Sequence, residues 1–285
     1  MKKTEKEKVA VYRILLYNIN SGFLLRSFEK GVFVLIPINL ATIKNIRDLG
    51  GTEVAHGLFI RPGCLIRSAH LGYASQEDVR YLQAEHDLSK IIDLRDSQER
   101  YELPDHPFGT PVLRQPILES LQSGITHEEG AEEKTDGIPD MAGLYRNMMT
   151  DPGCTANFRK VLSAIFEHDY RSGSILWHCT EGKDRCGMTT VLVLTALGAD
   201  QELIMDDYLE TNRTNLPKAR AIYEKLRPVR GEAFAESVYN AYIADERYLE
   251  AAWDVMGDNY LTDVLGFKER QLRKFRKAVL TNRYL

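Results

Sequence analysis

The segment HCTEGKDRCG, from His178 to Gly187, collects the residue types of a nucleophilic active site in one short stretch. Cys179 and Arg185 are separated by TEGKD, which includes Gly182. A thiolate is a strong nucleophile, and a guanidinium is a planar fork that matches two phosphoryl oxygens. The spacing therefore predicts that Cys179 attacks phosphorus and that Arg185 follows the oxygens into the transition state.

The other residues of this loop predict a cradle for an anion. Backbone N–H groups of a tight loop converge on one point, and a following helix adds the positive end of its dipole. Gly182 lets the backbone bend close to the ligand, and Asp184 is the nearest group able to protonate a leaving alkoxide or phenoxide. We expect Cys179, Asp184 and Arg185 to be catalytic, with no metal or cofactor. We expect the phosphate to be bound by Thr180, Glu181, Gly182, Lys183, Cys186 and Gly187.

The same electrostatic field acts on the nucleophile. Converging N–H groups, a helix N-terminus and Arg185 all favour a thiolate, so the sequence predicts a lowered pKa for Cys179. Taken singly, a buried cysteine is usually a small apolar residue, and a KDR run is usually a solvated turn. Their combination between a strand and a helix favours the phosphate loop instead.

The elements that must position this loop follow from the apolar pattern around it. SILWH (174–178) is typical of a buried strand, and the apolar run after the loop predicts a helix over 187–197 that ends at Gly198. KIIDLRD predicts a second buried parallel strand, whose carboxyl end brings Asp93 to the site. We therefore expect an α/β fold with a central, mostly parallel sheet and helices on both faces. Residues 201–285 show helical periodicity and predict a C-terminal helical layer.

Domain organisation is predicted from composition. The first 40 residues contain β-branched and aromatic runs and predict an N-terminal extension made of strands, before a single phosphate-binding domain over 41–285. Residues 119–140 are acidic and poor in apolar side chains, which predicts a mobile loop or lid.

Bulk properties exclude several classes of protein. The chain has 285 residues, a net charge of -4 and a pI near 6.0, so we expect no nucleic-acid partner. Its four cysteines form no CxxC pair, which predicts reduced thiols and a cytoplasmic protein, with secretion into a host left open. No apolar run approaches the roughly 18 residues of a membrane span, and Glu5 and Glu7 argue against a signal peptide.

HCTEGKDRCG resembles the C-x5-R signature of the protein tyrosine phosphatase superfamily. The HCxxGKDRxG form resembles its atypical bacterial and fungal branch, whose members act on phosphotyrosine, phosphoserine or phosphothreonine, and phosphoinositides. NIRDLGG (45–51), LIRSAHL (65–71), IIDLRDSQE (91–99) and DDYLETN (206–212) resemble further blocks of that branch. The resemblance covers the chain from about residue 40 onward.

The resemblance implies a role for each site residue. Cys179 would be the nucleophile, Arg185 the transition-state clamp and Asp184 the general acid, with Asp105 as the alternative acid. His178 would hold the loop and tune the thiol, and Lys183 is similar to a lysine associated with phosphoinositide phosphatases. The charged residues of the other blocks either form a network beneath the loop or are surface ions, and we expect the network. They are Arg47, Asp48, Arg67, Asp93 and Arg95.

Two positions depart from the family pattern. The residue after the arginine is usually Ser or Thr, whose hydroxyl helps the thiolate to leave, but here it is Cys186. Cys186 either packs at the helix start or forms a protective disulfide with Cys179. Glu181 adds a negative charge at the loop rim, which argues against polyphosphorylated inositides. Of the neighbouring aromatic residues, we expect Tyr145 to shape the mouth and Trp177 to lie in the core.

We therefore expect a cysteine-dependent phosphatase that hydrolyses phosphate monoesters of a phosphorylated protein or a phosphoinositide. The alternatives are an inactive phosphate-binding protein and an enzyme that handles sulfur or arsenate. The intact set of Cys179, Asp184 and Arg185 argues against the first alternative. The flanking blocks argue against the second.

Overall fold

A computed structural model describes residues 24–27, 32–55, 57–119 and 140–282. Seven strands form the central sheet: β1 (Leu24–Ser27), β2 (Val32–Pro37), β3 (Arg47–Asp48), β6 (Leu65–Ser68), β7 (Leu88–Asp93), β8 (Val112–Arg114) and β9 (Ser174–His178). Three strands form a second, antiparallel sheet: β4 (Glu53–Ala55), β5 (Leu58–Ile60) and β10 (Leu280–Thr281).

The order of the central sheet is β1-β2-β3-β6-β9-β7-β8. The strands from β6 to β8 are parallel, whereas β1, β2 and β3 add on antiparallel. His178 is in register with Ser68 of β6 and with Asp93 of β7, so the carboxyl ends of three strands are level. This edge is where an α/β sheet presents its ligand site.

Eleven helices are described: α1 (Gln76–Glu85), α2 (Ser97–Glu102), α3 (Met141–Thr150), α4 (Pro152–Phe166), α5 (Asp184–Leu197), α6 (Gln201–Glu210), α7 (Asn212–Arg230), α8 (Glu232–Tyr242), α9 (Glu246–Trp253), α10 (Tyr260–Asp263) and α11 (Glu269–Val279). The sheet has a hydrophobic core on each face. Successive residues of β9 point to opposite faces, so Trp177 packs in the core that contains α5 and Leu176 in the core that contains α1. Trp177 is fully buried, as the sequence predicts.

The α/β fold with a mostly parallel sheet and a C-terminal helical layer is confirmed. One boundary in the prediction is wrong: α5 begins at Asp184 and not at residue 187. The loop needs fewer residues than expected because Gly182, at φ +67°, reverses the chain in one tight turn. Asp184, Arg185 and Cys186 therefore lie in the first turn of the helix.

The domain boundaries stay a prediction. Within the first 40 residues, β1 pairs with β2, and β2 extends the central sheet through β3. The acidic segment proposed as a lid lies, apart from its terminal residues Glu119 and Asp140, outside the described residues. Among the helices described, none is long and apolar enough to cross a membrane.

Candidate active site

Gly182 fixes the close approach of the loop to its neighbours. A Cβ at this position would lie 2.7 Å from the carbonyl oxygen of Ser68 and 2.8 Å from the backbone nitrogen of Ala69. Any other residue would therefore be strained by the positive φ, and its Cβ would clash with two backbone atoms. The N-terminus of α5 has no side-chain cap, so its N–H groups face the turn as donors for an anion.

A buried polar network holds the loop from below. Asn45 donates from Nδ2 to the carbonyl oxygens of Glu181 (3.0 Å) and Gly182 (3.1 Å), and Arg67 donates to the same Gly182 carbonyl at 2.7 Å. Arg47 and Arg67 both pair with the carboxylate of Asp207 in α6. Burial acts to raise the pKa of Asp207, but the two guanidinium groups lower it.

Asp48 has a different role from the network that the sequence predicts. Its carboxylate accepts a hydrogen bond at 2.8 Å from the N–H of Gly50 and another at 2.5 Å from the N–H of Gly63. Asp48 therefore joins two turns and has no arginine partner among the described residues. Burial raises its pKa to about 6.

Arg185 is held by Glu99, the N3 residue of the capping box of α2. Both terminal nitrogens of the guanidinium contact this carboxylate, Nη2 at 2.6 Å from Oε1. Thr180 also donates its hydroxyl to Glu99. Burial acts to raise the pKa of Glu99, but Arg185 holds it well below its usual range. The end-on pairing leaves Nε of the guanidinium for a phosphoryl oxygen, while Nη2 also donates to the Thr180 hydroxyl at 3.3 Å.

Cys179 is only 2% exposed, at the start of this turn. Burial raises the pKa of its thiol, while Arg185 and the N–H of Cys186, which donates to the sulfur, lower it. Asp184 and Glu99 also act to raise this pKa, because each brings a negative charge. The predicted lowering of the Cys179 pKa is therefore wrong for this arrangement, first because the thiol is buried, and then because Asp184 and Glu99 add negative charge beside it.

Asp184 is bound on one oxygen by two donors. Tyr145 donates its hydroxyl to Oδ1 at 2.7 Å, and Nζ of Lys183 lies 2.8 Å from the same atom. The hydroxyl of Tyr208 lies 2.7 Å from that of Tyr145. Tyr145 is fully buried, so it supports Asp184 and does not shape the mouth as the sequence suggests.

Lys183 contacts other groups than the predicted phosphate. It is fully buried, donates to the carbonyl oxygen of Ile243 at 3.2 Å and lies 5.6 Å from the ring centre of Tyr248. Together with its contact to Asp184, these interactions hold the Lys183 ammonium group in the protein interior, away from a bound phosphate. The cause is the early start of α5, which places Lys183 at the N-cap.

His178 and Asp93 lie beside the loop with Asp105. Nε2 of His178 is 3.1 Å from Asp105 and 3.9 Å from Asp93, and Arg95 pairs with both carboxylates. Burial acts to raise the pKa of Asp105, but His178 and Arg95 lower it to about 2. Asp93, Asp105 and His178 form a group with metal-ligand geometry among the described residues, yet Arg95 already neutralises its carboxylates.

Three further loop residues have contacts of their own. Glu181 pairs with Lys218 of α7 at 2.6 Å, so its charge is balanced from outside the loop. The thiol of Cys186 donates to the carbonyl oxygen of Trp177 at 3.7 Å, and burial raises its pKa to about 12. The N–H of Gly187 is bonded to the carbonyl oxygen of Lys183 at 2.7 Å, so it does not serve a phosphate as predicted.

The structure thus brings Cys179, Thr180, Asp184 and Arg185 to one turn, with His178 and Asp93 behind it. Sequence reasoning missed the supporting residues Asn45, Glu99, Asp207 and Lys218 and the tyrosine pair. For Glu99 a signal was present, because DSQE has the D-x-x-E spacing of a capping box. The contacts of Cys186 favour packing over redox pairing, and all four cysteines are buried and outside any disulfide.

Comparisons with known proteins find similar sequences and folds. A family model described as "Tyrosine phosphatase family" matches residues 38–281. A Cupriavidus necator protein named tyrosine-protein phosphatase H16_A0669 is 30% identical over 244 residues, which cover 81% of this chain and 85% of that protein. The triple specificity protein phosphatase PtpB of Mycobacterium tuberculosis is 29% identical over 206 residues, covering 62% of this chain and 69% of that protein. The crystal structure of the core catalytic domain of the PP-IP phosphatase SIW14 from S. cerevisiae aligns with a TM-score of 0.34 and 15% identity, over 78% of this chain and 98% of that one.

Proposed function

Since the chain belongs to the tyrosine phosphatase family and is a cysteine-dependent phosphatase, we propose that Cys179 is its nucleophile and that phosphotyrosine is its preferred substrate. Cys179 reacts as the thiolate after its proton has passed to solvent. In the first step the Cys179 sulfur forms a bond to phosphorus as the bond to the leaving oxygen breaks, and Asp184 gives that oxygen a proton. In the second step water attacks the cysteinyl-phosphate, releasing inorganic phosphate and the thiolate, and Asp184 takes back a proton.

The observation that carries this proposal is the arrangement around Cys179. Burial raises the pKa of the Cys179 thiol, and Arg185 and the N–H of Cys186, which donates to the sulfur, both act against that rise. Glu99 holds the guanidinium end-on, which supports a clamp whose Nε edge binds the equatorial oxygens of the transition state. When a dianionic phosphate enters, its oxygens take the N–H groups of the turn.

The surroundings of the carboxylates favour Asp184 over Asp105 as the general acid. Asp105 has a pKa of about 2 and is bound by His178 and Arg95, so it holds no proton near neutral pH. Asp184 directly precedes Arg185, and Tyr145 and Lys183 fix its Oδ1.

The charges at the loop favour a monophosphate ester as the substrate. Lys183 is buried against Asp184 and Ile243, and Lys218 is paired with Glu181. Neither ammonium group is arranged to meet a second phosphate of a polyphosphorylated ligand. The name of one relative points to phosphotyrosine and that of another to a broader specificity, so phosphoserine, phosphothreonine and phosphoinositide monophosphates are secondary candidates.

A side-by-side assay tests these assignments. We expect kcat/KM to be highest for a phosphotyrosine peptide and to be lower for both a phosphoserine peptide and phosphatidylinositol monophosphate. Asp184→Asn should lose roughly 100-fold or more on phenyl phosphate, a poor leaving group, and much less on p-nitrophenyl phosphate. Asp105→Asn should affect both substrates equally. Equal losses on both substrates in Asp184→Asn would assign the acid elsewhere, and a preference for the lipid would overturn the substrate proposal.

A further inference from the structure

A second cavity lies beside the active site, on the other side of α2. Its volume is about 480 Å³, within the range of small-molecule sites. It is open to solvent on one side and is lined by the carboxyl end of β7, helix α2, the segment 104–110 and strand β8. The lining residues that matter below are Arg95, Arg100, Tyr101, Asp105, Phe108 and Arg114.

The charge in this cavity is positive. The carboxylates of Asp93 and Asp105 are both paired with the buried Arg95. Arg100 donates to the backbone carbonyl of Arg95, and neither Arg100 nor Arg114 has a carboxylate partner in the described part of the chain. Two guanidinium groups that have no carboxylate partner among the described residues therefore line one cavity, in a protein whose net charge is -4.

The remaining wall is apolar. Ile91, Phe108 and Val112 line it together with Pro104 and Pro107. Tyr101 is 83% exposed and stands at the border of the cavity. A guanidinium pair beside a wall of rings and branched side chains suits a ligand with an anionic group on a flat apolar body.

Helix α2 connects this cavity to the catalytic arginine. Ser97, Arg100 and Tyr101 are spaced as i, i+3 and i+4, and so they lie on one face of the helix, towards the cavity. Glu99 lies on the opposite face and holds Arg185 and Thr180. A displacement of α2 by a ligand would therefore move the carboxylate that orients the clamp.

A second connection runs through Asp105. Its carboxylate lines the cavity and also lies 3.1 Å from Nε2 of His178, the residue that precedes Cys179. An anion near Arg95 would compete with Asp105 for that guanidinium. Both connections lead from the same cavity to the phosphate loop.

We propose that this cavity is an effector site for a small organic anion with a flat apolar body, and that its occupancy changes the rate of phosphate-ester hydrolysis. The inference goes beyond the proposed substrate and does not depend on it. Binding can be measured without catalysis, so failure of this site and failure of the active-site assignments are distinguishable.

The binding test uses 2-naphthoate as the probe. Isothermal titration calorimetry is performed on protein alkylated at Cys179 with iodoacetamide, which blocks the phosphate loop. We expect saturable binding that the neutral analogue 2-naphthylmethanol does not show. Arg114→Gln and Arg100→Gln should each weaken binding about tenfold, because each removes one charge-assisted contact.

Lys274→Gln, an exposed cation on α11, is the matched control and should leave the affinity unchanged. Circular dichroism of each variant verifies folding. Because the Arg114 side chain is exposed on strand β8, we expect Arg114→Gln to disturb folding least. Equal affinity in wild type and both arginine variants would overturn the site. Loss of binding on alkylation would assign the ligand to the phosphate loop instead.

The coupling test uses unmodified enzyme and p-nitrophenyl phosphate. Saturating 2-naphthoate should change kcat at least twofold, and the ratio of kcat with and without the probe should return to one in Arg114→Gln. Competitive inhibition by 2-naphthoate that is relieved at high substrate concentration and persists in Arg114→Gln would contradict an effector site. Binding of 2-naphthoate in the cavity with no change in kcat would contradict it as well.

Discussion

Glu99 and Arg185 form an end-on ion pair in which both terminal nitrogens of the guanidinium contact one carboxylate. The pair joins the N-terminal turn of α2 to that of α5. Its effect on catalysis is twofold, because it orients the clamp and also places a negative charge near Cys179. The two effects can be separated experimentally.

Glu99→Gln separates them. We expect kcat/KM to fall roughly 10- to 100-fold, since an amide cannot accept from both nitrogens and a charge-assisted contact contributes about 1.5–3 kcal/mol. The Cys179 pKa should fall, because a carboxylate that raised it is gone. The pH dependence of iodoacetamide alkylation measures this pKa, with Glu77→Gln on exposed α1 as control. A rise in the Cys179 pKa would contradict the electrostatic account.

Gly182→Ala should abolish the activity, with a loss above roughly 100-fold. The added Cβ meets backbone atoms of Ser68 and Ala69 in addition to the strain of a positive φ. Gly57→Ala is the matched control, because Gly57 has φ +77° and nothing within 4 Å of the added Cβ. Steady-state kinetics and thermal unfolding of both variants are compared. Similar activities would show that the close approach at the loop is unimportant.

Asp48 makes a prediction about stability against pH. Its pKa is raised from 3.8 to about 6 in the folded protein, so folding is penalised while the group is ionised above pH 6. As the pH falls from 7.5 to about 4.5, the folded state takes up the proton first. Wild type should gain about 2 kcal/mol in free energy of unfolding relative to Asp48→Asn.

Urea unfolding at the two pH values measures this difference, and Asp258→Asn at an exposed position is the control. A gap between wild type and Asp48→Asn that stays constant with pH would be inconsistent with a raised Asp48 pKa.

Cys186 should not protect Cys179 against oxidation. Its thiol is fully buried, directed to the Trp177 carbonyl, and has a pKa of about 12, so it supplies little thiolate to attack an oxidised partner. After peroxide treatment, recovery by reductant should be equal in wild type and Cys186→Ser. Peptide mapping without reductant decides the matter: a Cys179–Cys186 linked peptide would revive the disulfide hypothesis.

The sequence predicts the phosphate loop better than it predicts the distant residues that hold the loop in place. SILWH, the loop and the apolar helix are contiguous, so their order and local periodicity are enough to predict the strand, turn and helix that carry the proposed phosphate site. Glu99 and Arg185 are 86 positions apart, and Asp207 and Arg47 are 160 apart. No local pattern specifies such pairs, because they depend on how the strands are ordered in the sheet. The raised pKa of Cys179 likewise depends on the tertiary structure, first through burial of the thiol and then through the carboxylates beside it.

The charged blocks illustrate the same limit. The sequence predicts that Arg47, Arg67, Asp93 and Arg95 lie near the loop. It does not show that Arg47 and Arg67 pair with Asp207, whereas Arg95 pairs with Asp93 and Asp105. That division is set by β6 and β7 lying on either side of β9. Side-chain direction on α5 was equally hidden, since Lys183 and Asp184 are adjacent in sequence and their contacts depend on where the helix begins.

The most direct test of the account is to trap the covalent intermediate. Asp184→Asn is mixed with p-nitrophenyl phosphate, quenched with acid within milliseconds and mapped by mass spectrometry. The account predicts one phosphoryl group on the peptide that contains Cys179, formed at the rate of the p-nitrophenol burst and absent in Cys179→Ser. A phosphoryl group on another residue, or turnover that persists in Cys179→Ser, would contradict it.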